Sequence, residues 1–241
     1  MNLLILDSGH AKNTAGKRNE KEKFYEWEFN NDMQHKIKVR CEDHNIKVFL
    51  TNPNPAIVSD IPLTTRANLA NDYWIKNNKC KSIFISLHAN ASSNESARGT
   101  ETYVAKNAST ISKDFAEVLN NNIVKAMKEL DVNAKDRGVK TENFTVIYKA
   151  SMPSVLCEYG FYSNLDDLKI LKNNKDELVE ATVKAICSYF NIEYKEKVIK
   201  KENNSSLYAV CVGAYKDRNK ANAMVEELKK KGYTSTYLII R

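Results

Sequence analysis

Short apolar runs alternate along this chain with stretches of helical periodicity, and that alternation restricts the fold more than any other feature. The runs read as strands at Asn2–Asp7, Ile46–Leu50, Ser82–Leu87, Thr100–Val104, Phe144–Tyr148 and Ser154–Glu158. Helical patterns fill residues 22–43, 61–77, 109–130 and 165–190, the last with Leu168, Leu171, Leu178, Ala181, Ala185 and Ile186 at helical spacing. Strands taken in turn with helices predict an α/β domain with a mostly parallel twisted sheet flanked by helices. A chain of 241 residues suffices for one such core and a small appendage.

The appendage follows a break in the pattern. Residues 193–206, which include KEKVIKKENNSS, are charged, polar and aperiodic, and read as a linker. Beyond it YAVCVGAY alternates like a strand, and Ala221, Met224, Val225 and Leu228 form a helical stripe. Gly232 then caps that helix and YTSTYLII supplies a second strand, which makes 207–241 one small βαβ unit. The expected division is a domain at 1–192, a linker at 193–206 and this unit at 207–241.

Charge follows the same division. The net charge is +7, and residues 193–241 hold eleven Lys or Arg against six Asp or Glu. A basic tail suits a polyanion such as an anionic cell-wall polymer, or is simply a solvated surface. No nucleic-acid motif accompanies it, so no nucleic-acid partner is expected. The five cysteines stand singly, which argues against a disulfide framework or a cysteine-rich zinc site and for free thiols. No apolar run approaches the ~20 residues of a membrane span. The opening MNLLILD lacks the basic flank and cleavage site of a signal peptide, so synthesis in the cytoplasm is expected.

The chemistry concentrates at strand ends. His10 follows LLILDSG and His88 follows IFISL, each placed just past a buried-looking strand, at the edge where ligands collect in open α/β sheets. Singly, each is more readily a loop or core histidine than a ligand. Two at equivalent strand ends point to a shared metal. His35 and His44 lack such placement and are expected at the surface.

A third ligand should be a carboxylate or an imidazole. In FYEWEFNND, Glu26 shares a helix face with Phe29, Met33 and Ile37, whereas Glu28 shares one with Asp32, His35 and Val39. The periodicity aims Glu26 at the protein and Glu28 at solvent. A buried carboxylate needs a cation or a proton, and a metal held by two histidines supplies the first. Finally SVLC delivers Glu158 to the same sheet edge. There it is either the acid/base beside the metal or a strand-end carboxylate capping the next helix; spacing allows both.

At these residues the sequence resembles the zinc-dependent N-acetylmuramoyl-L-alanine amidases of the amidase-3 type, found in autolysins and phage endolysins. The resemblance runs from Asn2 to about Ile192 through LLILDSGH, EWEFN, LTTRANLAN, ISLHANAS, RGTETYV, RGVK and MPSVLCEYGFYSN. It implies that His10, Glu26 and His88 bind one Zn2+ ion and that Glu158 is the catalytic acid/base. It implies hydrolysis of the amide joining the lactyl group of N-acetylmuramic acid to L-alanine in peptidoglycan. One departure stands out: His10-Ala11-Lys12 replaces the HGG common in the family, so the first loop should differ in shape.

The C-terminal unit resembles half of a SPOR-type domain, a module associated with peptidoglycan binding. Half a domain suggests pairing between two chains through 207–241, or docking on the catalytic domain. Release by a holin or by mother-cell lysis would bring such a protein to the cell wall. Two other functions fit the same residues: a catalytically silent wall-binding protein, and another zinc amidohydrolase or peptidase on this scaffold.

Overall fold

The computed structural model describes residues 1–56, 59–197 and 215–232. These divide into two compact units, Met1–Lys197 and a C-terminal unit from Val198 to Arg241.

The first strand, β1 (Leu3–Ser8), is buried along its whole length, as an unbroken apolar run requires when both faces of a sheet are covered. A two-residue antiparallel ribbon, β2 (Arg18–Asn19) with β3 (Phe24–Tyr25), leads into α1 (Glu26–Asp43). There follow β4 (Lys47–Leu50), α2 (Leu63–Lys76), β5 (Ser82–Asn90), β6 (Thr100–Val104) and α3 (Thr110–Leu130). The unit is completed by β7 (Asp136–Thr141), α4 (Thr145–Tyr148), β8 (Ser154–Phe161), α5 (Leu165–Asn173) and α6 (Lys175–Phe190).

Six strands form one sheet in the order β4-β1-β5-β8-β6-β7, parallel except where β6 meets β8. The alternating side chains of each strand feed two cores. Leu4 and Leu6 of β1 join Phe29, Met33 and Ile37 of α1 and the apolar faces of α3, α5 and α6. Leu3 and Ile5 join Ala70 of α2, with Val146 and Ile147 of α4. The chain leaves β1 for β4 on one side and returns to β5 on the other. The carboxyl ends of β1 and β5 therefore flank a topological switch point, where an α/β sheet opens a crevice.

The structure departs from the sequence reading in four places. Phe144–Tyr148, expected as a strand, is the short helix α4, because Val146 and Ile147 are buried side by side. The edge position belongs instead to β7, whose DRGVKT carries almost no apolar signal; charged residues are how sheet edges avoid further pairing. The helical stretch 165–190 breaks at Asn174 into α5 and α6. His44 is buried, hydrogen-bonded to the Arg40 carbonyl and to the Lys195 amide, and stacked on Tyr194. Residues 193–197 thus pack on the first unit.

In the second unit the described element is α7 (Arg218–Lys230), started by the Asp217 side chain and ended by Gly232 at φ +95°. Ala221, Met224, Val225 and Leu228 are its less exposed residues, as the stripe predicts. The strands expected at 208–215 and 233–240 lie outside the described residues, except for Tyr215. Among the described residues Cys41, Cys80, Cys157 and Cys187 are free thiols, and no helix is long and apolar enough to cross a membrane.

Candidate metal centre

Glu26 opens α1 and is 2% exposed, on the same buried face as Phe29, Met33 and Ile37. Glu28 is exposed on the opposite side. Both imidazoles converge on one oxygen of Glu26: His10 Nε2 lies 3.3 Å from Oε1 and His88 Nδ1 lies 3.0 Å from it. The Ala89 amide donates to the same oxygen at 3.2 Å. One ligating atom from each of His10, Glu26 and His88 falls within 4.8 Å of the others, close enough to share an ion. His10 lies two residues past β1, whereas His88 falls inside β5, which runs on to Asn90.

Protonation favours ligation. Burial pushes the Glu26 carboxyl upward, but hydrogen bonds from His10 and His88 more than offset it and hold its pKa at about 2. Burial lowers His88 below the usual imidazole value, against the pull of Glu26. An ionised carboxylate and a neutral imidazole are the forms that bind a metal.

Polar side chains hold the loop that carries His10, which sits at φ +65°, a left-handed conformation uncommon outside glycine. Asn52 donates from Nδ2 to the carbonyls of both Ser8 and His10 at 3.0 Å, and Gln34 in turn donates to Asn52 O. Asn30, one turn after Glu26, donates to Gly9 O at 3.0 Å. Gly9 has to be glycine, since a Cβ there would lie 2.5 Å from His88 Nε2. Beneath the loop, Arg66 of α2 pairs with buried Asp7 and donates to Ser8 O, while Thr51 and Ser86 also donate to Asp7.

Glu158 faces this group from the next strand. It pairs in register with His88 on one side and with Glu101 of β6 on the other. Its Oε2 is buried without a protein hydrogen-bond partner. Burial, then the negative charges of Glu26 and Glu101, push its pKa well above the ordinary carboxylate value. The following helix, α5, is capped by Asn164, so Glu158 has no capping duty.

Glu101 has the opposite surroundings. Burial alone would raise it, but Lys140, Arg137 and Tyr103 donate to it and lower its pKa. Two carboxyls on adjacent strands are thus driven apart, one toward the acid and one toward the anion.

A family model described as N-acetylmuramoyl-L-alanine amidase matches residues 4–188. The chain belongs to the amidase-3 family. A SPOR domain model matches residues 188–239 of the same chain. The amidase is 26% identical over 194 residues to the N-acetylmuramoyl-L-alanine amidase CwlM of Bacillus licheniformis, covering 80% of this chain and 67% of that protein. It is also 26% identical over 200 residues to the sporulation-specific N-acetylmuramoyl-L-alanine amidase of Bacillus subtilis (strain 168), covering 82% and 69%. Among solved structures, the catalytic domain of CwlV, an N-acetylmuramoyl-L-alanine amidase from Bacillus (Paenibacillus) polymyxa var. colistinus, superimposes with a TM-score of 0.68 at 28% identity. That match covers 80% of this chain and all of the CwlV chain.

The amidase is therefore a peptidoglycan hydrolase, and its His–Glu–His group fits a metal. Of its site, sequence reasoning missed Asn30, Asn52 and Glu101. Asn30 was within reach, because it shares the buried face of Glu26 one turn on. Glu101 is the glutamate of RGTETYV, with nothing local to set it apart from other acids, and only the register of β6 against β8 brings it beside Glu158.

Proposed function

We propose that His10, Glu26 and His88 hold one zinc ion and that Glu158 is the acid/base for cleavage of the lactyl–L-alanine amide. The observation that carries this reading is the meeting of two imidazoles on one oxygen of a buried carboxylate, with a protonatable carboxyl one strand away. Two histidines and a carboxylate form a donor set typical of hydrolytic zinc. Zinc bound there supplies Lewis acidity, which polarises a carbonyl and acidifies water. Glu158 takes the proton of the attacking water and returns it to the nitrogen of L-alanine as that group leaves. Its raised pKa suits the second step, and the free lone pairs of Oε2 suit the first. Asn30 and Asn52 keep the His10 loop fixed throughout.

The test is a digest of purified peptidoglycan followed by mass spectrometry. Wild type should release peptides with new N-terminal alanines, a chelator should stop release, and added zinc should restore it. Glu158→Ala should retain zinc by metal analysis while releasing no peptide. New termini other than alanine would refute the assignment.

The same reading divides the chain into a catalytic domain that takes in the packed residues 193–197 and ends at Lys197, and a wall-binding unit at 207–241 reached through a linker shorter than the 193–206 of the sequence pattern. The SPOR match supports binding of glycan by the last. Pairing of two chains through 207–241 completes this reading, and a monomer by light scattering at micromolar concentration would remove it.

A further inference from the structure

Arg137 and Lys140 stand three residues apart on β7, an odd spacing that turns side chains of a regular strand to opposite faces. Both nevertheless reach the same oxygen of Glu101, Arg137 through Nε at 2.5 Å. The register explains how: Thr100 pairs with Asp136 but Thr102 pairs with Val139, so β7 bulges opposite Glu101. Gly138 sits in the bulge at φ +74°, with nothing near its missing Cβ, so the glycine serves the backbone and not the space. A bulge beside an active site commonly re-aims a side chain. This one delivers two cations to one carboxylate.

Charge is left over at that point. Glu101 is 2% exposed, whereas the side chains of Arg137 and Lys140 are 34% and 36% exposed. The two cations share one buried acid and keep open faces. Arg137 is further held over the Phe161 ring, 4.9 Å from its centroid. Both line an open groove of about 460 Å³ that also receives Arg98, Lys135 and a single acid, Asp136. Arg98 is neutralised by Asp131, Asp166 and Asp167, and Asp136 is occupied by Asn120 and the Gly138 amide. The unmatched positive charge of the groove therefore lies on the clamp and on the exposed Lys135, and of these only the clamp is fixed in place by a buried acid.

We propose that Arg137 and Lys140, pinned by Glu101, form a subsite for a free carboxylate of the stem peptide. The proposal rests on the amidase reading of the neighbouring metal centre. Glu101 lies two strands from His88, about 10 Å at the ordinary strand spacing. An extended peptide covers that distance in about three residues. The carboxylate bound is thus one within the first three residues of the stem peptide, held bidentately by the guanidinium and by the ammonium. The clamp fixes which way the peptide runs from the scissile amide, while Glu158, one strand nearer, is left to the chemistry.

The experiment uses the full-length, zinc-loaded protein and two soluble muramoyl tripeptides, one with free stem carboxylates and one with all of them converted to carboxamides. The quantity read is the ratio of kcat/KM for acid over amide. Wild type should prefer the acid by about tenfold or more, as a charge-assisted bidentate contact predicts. In R137Q, and separately in K140M, that ratio should collapse toward one, and Arg137→Lys should restore part of it. A structural role for these residues would instead lower kcat/KM for both substrates in proportion and leave the ratio unchanged, which overturns the proposal. Equal cleavage of both substrates by wild type removes the subsite alone. Cleavage of neither overturns the amidase reading and the subsite with it.

Discussion

Glu26 and Glu28 differ by two positions and by almost everything else. Glu26→Ala should abolish metal binding and hydrolysis, whereas Glu28→Ala should keep both, with stability within about 0.5 kcal/mol of wild type. Metal analysis and a chemical denaturation curve decide this. Gly9→Ala is an equally local test. The added methyl collides with the His88 ring, so the variant should lose metal affinity by about 10- to 100-fold while the fold persists. Acid should also act through Glu26. Its carboxyl titrates near 2 in the folded protein instead of 4.5, so the stabilisation it provides is complete above pH 4.5 and disappears as pH falls through about 2. In metal-free protein that contribution is at most about 3 kcal/mol, and Glu26→Gln should flatten this part of a thermal-stability profile against pH. The two acids were separable from sequence because a helix writes its buried face into its spacing. His44 was not: its burial depends on Tyr194 and Lys195, residues 150 positions away that no local period reports.

Among the elements, strands with apolar runs were legible and the others were not. β1, β5, β6 and β8 bury aliphatic side chains, β4 packs the partly buried Val48 and Leu50 against the core, and all five announce themselves. β7 pairs with β6 alone in the sheet, sets only Val139 against the core and turns Arg137 and Lys140 to Glu101, so its sequence carries charge where a strand signal would be. α4 erred in the other direction, since FTVIY has strand composition but only tertiary packing of Val146 and Ile147 selects the helix. The attachment of α2 to the site is a third matter. Arg66 sits in the LTTRANLAN block with nothing local to mark it as buried, yet it is 2% exposed against Asp7 at 0%. Arg66→Ala leaves that carboxylate without its charged partner and should cost about 3–5 kcal/mol in denaturant unfolding. Because Arg66 also supports the Ser8 carbonyl, the same variant should bind metal about tenfold more weakly.

Across the whole molecule, the catalytic unit carries its own cores and its own site within Met1–Lys197. A chain ending at Lys197 should melt within a few degrees of the catalytic transition of full-length protein and should hydrolyse soluble muramoyl peptides at a similar rate. Its affinity for intact cell walls should fall by about tenfold or more, because the second point of attachment is gone. Co-sedimentation with purified walls measures the difference. The order of the sheet has one more consequence, which concerns synthesis. β8 lies between β5 and β6, although both neighbours leave the ribosome long before it. Without residues 154–161 no strand joins β4-β1-β5 to β6-β7. The strand that fuses them is the one that carries Glu158. Closure of the sheet and placement of Glu158 beside His88 thus depend on one late-made segment.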